Sequence, residues 1–316
     1  MVFKKKKSPK DMSIVEYITG SINKNGILQE NFELPNTDDK EGYKFAPGAM
    51  DGICMYHMGD KTLVDEDKKK LKELIILAGN GYTSKAEEGF VLFCKENRVI
   101  TFIDELQKSI FDCENEIKPS ILFDFAVDML LHSADVECVK IGLSILELYN
   151  TCDDEVLANT IKTVALYDEF TVFSLFIMRR WPTAEKDILD CAKKVHGWGR
   201  IHCVDFIEPS DKETIEWLLF NGIENEILQA YSAWDVFKKA EVPLLLKRGD
   251  LSYEEIHAIL KITQALMDED PIPGLSNMDN PKVFLNDVLF RAEGNYQFSE
   301  EDQKILKDIR DYNIEQ

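Results

Sequence analysis

Apolar residues recur along most of this chain at spacings of three and four, the period of one face of an α-helix rather than the alternation of a strand. After Ser210 stand Ile215, Leu218 and Leu219; after Ser252, Ile256, Ile259, Leu260, Thr263, Leu266 and Met267; after Ser299, Ile305, Leu306 and Ile309. Four serines carry an acid three residues on: Ser84/Glu87, Ser210/Glu213, Ser252/Glu255 and Ser299/Asp302. In such a pair the serine oxygen accepts the N3 amide proton and the acid reaches back to the N-cap amide, so four helix starts are predicted. Gly79 and Gly222 fall where helices should stop.

Between residues 118 and 235 the pattern is denser. Val139, Leu143 and Leu146 form one stripe, and Ile141, Ile145 and Leu148 form a second on the same helix. A helix apolar on two sides must be covered on two sides. Similar segments at 121–131, 157–165, 170–181, 188–195, 201–207 and 215–219 are joined by short links. Helix starts near 121, 156, 188 and 215 step by 35, 32 and 27 residues, a drifting period. Hairpins that each bury a face on the next make an α-solenoid; an irregular helical bundle is the competing arrangement. Residues 1–47 differ. They offer one helix at 12–22, loops through NKNG, ELPNTDD and APG, and at most two short strands around GIL and FEL. The predicted organisation is an irregular N-terminal extension at 1–47, a helical-repeat domain at 48–267, and a linker with C-terminal helices at 268–316.

The stretch VHGWGRIHCVDFIEP followed by TIEWLLFNG resembles the armadillo/HEAT-like helical repeats of bacterial proteins. The likeness covers about 85–255 and rests on pattern rather than signature. It implies an all-α, right-handed α-solenoid of short helical hairpins with a binding surface, and it carries no catalytic residues to transfer.

Composition narrows the function classes. Of 316 residues, 58 are acidic and 37 are lysine or arginine, a formal charge of −21. A nucleic-acid binder normally shows the opposite balance. The lysine run at 4–7 with Lys10 is too short to reverse this and reads as a solvated tail. DMSIVEYITGSI, which follows it, is too polar for a signal peptide, and no run reaches the ~20 apolar residues of a membrane span. Cys54, Cys94, Cys113, Cys138, Cys152, Cys191 and Cys203 make an odd set of seven without a disulfide framework. A reduced, cytoplasmic setting is expected.

Four groups carry candidate chemistry. In CAKKVHGWGRIHC, residues 191–203, Cys191, His196, His202 and Cys203 are zinc-type donors. No CxxC or HxxxH pair is present, and adjacent positions such as His202 and Cys203 point about 100° apart on a helix. A turn is the favoured reading: Gly197 and Gly199 stop and bend the chain, Trp198 plugs the space between repeats, and His202 bonds a helix carbonyl. Trp198, Arg200 and His202 remain candidates for a binding pocket. In FAPGAMDGICMYHMGD, residues 45–60, Cys54 and His57 suggest a thiol–imidazole pair without an orienting third group. The favoured reading is a short helix opened by Pro47 and broken by Gly59. Gly48 and Gly52 point to close backbone packing, and Asp51 and His57 are binding candidates. In FTVFSLFIMRRW, residues 170–181, Phe170, Phe173, Phe176 and Ile177 have core spacing, while Arg179, Arg180 and Trp181 suit a helix C-terminus or an interface. The acid groups Asp124/Asp128, Asp153/Asp154 and Asp268/Glu269/Asp270 are what 58 acids produce by chance, the last reading as a solvated linker.

There is no GxGxxG, P-loop, HExxH, GxSxG or CxxC, and no cofactor is expected. The expected function is a protein-interaction module whose concave face grips a basic partner. The alternative is a small-ligand-binding protein or enzyme with a pocket near residues 45–60 and 191–203.

Overall fold

The computed structural model describes residues 12–29, 31–35, 45–58, 62–269, 271–294 and 296–315. The lysines at 4–7 and Lys10, Gly59 and Asp270 lie outside these residues. Seventeen α-helices are present among the described residues, with no named strand. The expected strands reduce to one isolated antiparallel bridge between Ile22 and Leu28.

The chain divides into two compact units, residues 1–195 and 196–316. The first holds α1 (Ile14–Gly20), α2 (Ala49–His57), α3 (Asp65–Gly79), α4 (Thr83–Phe93), α5 (Ile103–Asp112), α6 (Pro119–His132), α7 (Val136–Leu146), α8 (Glu155–Val164), α9 (Asp168–Met178) and α10 (Ala184–Ala192). The second holds α11 (Gly197–Phe206), α12 (Lys212–Asn221), α13 (Ala230–Lys239), α14 (Val242–Leu245), α15 (Tyr253–Met267), α16 (Pro281–Ala292) and α17 (Glu300–Glu315).

Local chemistry explains the starts. Ser252 and Glu255 form the expected capping box on α15, and the Ser299 and Asp302 amides are reciprocally bonded at the head of α17. Two expected caps shift. α4 opens at Thr83, so Ser84 lies inside it. α12 is capped by Asp211, whose carboxylate accepts the Thr214 amide at 2.8 Å, rather than by Ser210. A further box, Ser13 with Glu16, heads α1. Gly197 and Gly199 do not stop a helix: they lie in the first turn of α11. At Gly197 φ is +24°, which a residue without a Cβ adopts at little cost.

In the first unit α7 is the hub, and every residue from 138 to 146 is buried. Helices α6 and α9 both pack against it, which satisfies its two apolar stripes. Gly142 permits the α6 approach, because a Cβ there would sit 2.8 Å from the Ala126 carbonyl oxygen. Helix α1 packs on α6 and α8, so the described part of the N-terminal segment belongs to this unit. In the second unit α11 packs on α13, α13 on α15 and α15 on α17, with α12 and α16 alongside.

Candidate functional site

The most unusual group in the first unit is a lysine with no solvent exposure. Lys140 lies on α7 between the two apolar stripes. Its ammonium meets three carboxylates: Asp51 Oδ2 at 2.6 Å, Glu169 Oε2 at 2.8 Å and Glu137 Oε1 at 3.0 Å. The three N–H donors of an ammonium thus have three acceptors. The second oxygen of each carboxylate is also occupied. Asp51 Oδ1 accepts from Arg98 Nε at 3.1 Å and from its terminal nitrogen at 3.0 Å. Glu137 Oε2 accepts the Val99 amide at 2.8 Å, and Glu169 Oε1 accepts the Gly48 amide at 3.0 Å. The Phe173 ring closes the site, its centroid 5.5 Å from Nζ.

The three acids share a local origin. Asp51, Glu137 and Glu169 each lie in the first turn of their own helix, α2, α7 and α9. The amide ends of three helices therefore converge on one cation. The network carries three negative and two positive side chains, and the positive helix ends offset the surplus anion. Burial disfavours a charged Lys140, but Asp51, Glu137 and Glu169 outweigh it and raise its pKa above the ordinary lysine range. A protonated ammonium has no lone pair, so the site is built for neither nucleophilic nor base chemistry.

The arrangement fixes α2 to its unit. Gly48, its N-cap, has φ +74°, and a Cβ there would lie 2.7 Å from the Asp168 carbonyl oxygen. Only Ala49, Asp51 and Gly52 of α2 are buried. Polar bonds rather than apolar area therefore hold the helix. Nearby, burial first and Glu137 next push the Cys94 thiol up, and burial with Asp135 does the same to Cys138. Both are neutral thiols, not nucleophiles.

The sequence-derived candidates fall as follows. Asp51 joins the network as a buried structural anion. His57 is exposed at the end of α2. Arg179 pairs with the Glu147 carboxylate at 3.0 Å and Arg180 donates to the Glu147 carbonyl, so these cations cap α7, the neighbouring helix. Trp181 is buried and donates to Thr151 Oγ1 at 3.0 Å. In the second unit, Trp198 is buried against Tyr231, with ring centroids 4.9 Å apart. His202 is fully buried, and Arg200, 8% exposed, stacks on Trp217 at 5.1 Å. These side chains are interior ones. The candidate zinc donors do not form a group: Cys191 lies 3.6 Å from the Ala165 carbonyl, His196 faces Glu226 at 3.2 Å, and His202 and Cys203 are core residues of α11. Among the described residues no group of three or more His, Cys, Asp or Glu is placed to hold a metal ion. Asp154 is the N-cap of α8, and Glu269 accepts the Ser276 amide and the Tyr312 hydroxyl.

A second polar cluster sits at the head of α17. Asp302, without solvent exposure, accepts from Tyr253 Oη at 2.7 Å, from Ser299 Oγ at 2.7 Å and from the Ser299 amide at 3.0 Å. Its other oxygen lies 2.6 Å from His257 Nδ1. Burial alone would raise its pKa; the hydrogen bonds from Tyr253, His257 and Ser299 prevail and lower it from 3.8 to about 2. The carboxylate is ionised. The pair ties α15 to α17. Elsewhere in this unit an open cleft of about 380 Å³ is lined by Arg248, Leu251, Phe290, Arg291, Glu293 and Tyr296.

Among the described residues no helix is long and apolar enough to cross a membrane. No family model matches the chain, nor does any curated protein or solved structure.

Proposed function

We propose that the chain is an all-α interaction module, an armadillo/HEAT-like α-solenoid whose acidic surface receives a basic protein partner. The observation that carries this reading is the charge balance, 58 acids against 37 lysines and arginines. Such a surplus speeds the encounter with a basic protein and repels acidic ones. The packing agrees with it. In the second unit α13 packs on α11, α15 on α13 and α17 on α15, a neighbour pattern compatible with stacked helical hairpins. Asp51 and the Gly48 amide are committed to Lys140, Arg98 and Glu169, so these two groups of the 45–58 stretch serve the fold.

The test is affinity capture from lysate at low and at high salt, followed by reconstitution with the purified partner. A basic protein whose affinity falls steeply as salt rises supports the reading. Capture of acidic proteins only, or binding indifferent to salt, refutes it. An experimentally determined structure in which successive helical pairs fail to superpose would remove the solenoid arrangement.

A further inference from the structure

The cleft in the second unit is built by two links. The one between α14 and α15 supplies Arg248 and Leu251; the other, from the last turn of α16 towards α17, supplies Phe290, Arg291, Glu293 and Tyr296. Two bonds across 45 positions of sequence fasten the links together. Arg291 Nε donates to the Leu246 carbonyl at 2.7 Å, and Tyr296 Oη donates to the Leu251 carbonyl at 2.9 Å. The walls are thus fixed by the fold itself. The volume of about 380 Å³ falls within the roughly 300–1,000 Å³ of small-molecule sites. The charges of the lining differ in their commitments. Arg248 is matched to Asp250 at 3.3 Å and to Glu255 at 2.7 Å. Arg291 and Glu293, two positions apart and opposite in sign, form no ion pair among the described residues, and the bond to Leu246 leaves the terminal nitrogens of Arg291 unspent. Phe290, 65% exposed, and buried Leu251 add apolar surface.

We propose that this cleft binds a free α-amino acid with an aromatic side chain: Arg291 takes the carboxylate, Glu293 takes the ammonium, and Phe290 and Leu251 take the ring. One unmatched cation, one unmatched anion and an aromatic wall call for a ligand with one carboxylate, one ammonium and a ring. A phosphate or other multiply charged anion gains from Arg291 but meets Glu293, Asp250 and Glu255 as well. A peptide terminus carries only one of the two charges. The inference is independent of the interaction-module reading, and each stands if the other fails.

The probe is para-fluoro-L-phenylalanine, titrated against the full chain and read by fluorine NMR. Two companions each lack one charge: para-fluorophenylpropionate has no ammonium, and para-fluorophenethylamine has no carboxylate. The test variants are Glu293→Gln and Phe290→Ser. The control is Phe220→Ser, which removes an aromatic ring 44% exposed in the same unit but outside the cleft. All three positions are exposed, so the fold is retained. The amino acid is expected to bind the wild type with a Kd below about 1 mM, and each companion at least ~10-fold more weakly. Glu293→Gln should lower the amino acid to the level of the propionate and leave the propionate no weaker. Phe290→Ser should weaken all three probes, and Phe220→Ser none. No binding of the amino acid by the wild type overturns the proposal. So does equal or tighter binding of either companion, or test variants that bind as the control does.

Discussion

Replacing Lys140 with methionine removes the ammonium while keeping most of the side-chain volume. Three hydrogen bonds of 2.6–3.0 Å disappear, and Asp51, Glu137 and Glu169 remain around one apolar group with Arg98 as their remaining cation. Removing one partner from a buried ion network costs about 3–5 kcal/mol, because the other charges stay desolvated without compensation. The loss should centre on the residues the network joins. Two units make a single global unfolding energy ill defined, so the assay is hydrogen exchange by mass spectrometry. Protection of peptides from α2, α7 and α9 is expected to fall roughly a hundred- to several-thousand-fold. Lys162→Met supplies the contrast. Lys162 pairs with Asp187 at 2.7 Å, but its side chain is 40% exposed, and the change should cost at most about 1 kcal/mol. Adding Asp51→Asn to Lys140→Met should cost less than Asp51→Asn alone, with a coupling of roughly 1–3 kcal/mol. Protection within tenfold of wild type, or strictly additive effects, would refute the network as the fastening of this unit.

Three further outcomes are expected. Gly48→Ala forces a Cβ onto a left-handed backbone 2.7 Å from the Asp168 carbonyl and should cost about 1–3 kcal/mol, read as lost exchange protection in α2 alone. Asp302 has a folded pKa of about 2 against 3.8, so its contribution is complete above about pH 4 and is lost as pH falls towards 2. Screening around part-exposed His257 reduces this to about 1 kcal/mol, and Asp302→Asn should flatten acid unfolding of the second unit in that window. Cys94 and Cys138, held as neutral thiols by burial and neighbouring acids, should resist a thiol-disulfide reagent in the native state and react on unfolding.

The helical class and the two-sided burial of α7 were legible because both follow from apolar spacing. The centre of the buried network was not. Lys140 lies between the stripes of α7, and a lysine among buried neighbours must find carboxylates. Which of the 58 acids it takes is a long-range matter: Asp51 is 89 residues away and Glu169 is 29. Asp51 was singled out from the sequence, yet as a ligand contact rather than a buried anion. The CAKKVHGWGRIHC stretch does hold the link between α10 and α11, at 193–196, but its glycines follow that link and open α11, and Trp198 and His202 fill the interior. The cap of α12 moved because Asp211 sits beside the expected serine, and spacing does not choose between adjacent residues, while α4 opens from Tyr82 without a side-chain cap.

The separation between Asp51 and Lys140 also has a consequence for synthesis. At about 5–20 residues per second, a ribosome adds the 89 intervening positions in roughly 4–18 s. Throughout that interval the methionine-rich segment of α2 has been made without its cation, and the site that will fasten it does not yet exist. The nascent chain therefore carries Asp51 as an unpaired carboxylate, in a helix that is fastened only once α7 and α9 arrive. A block in elongation between these points should leave the segment accessible to protease and to chaperone crosslinking.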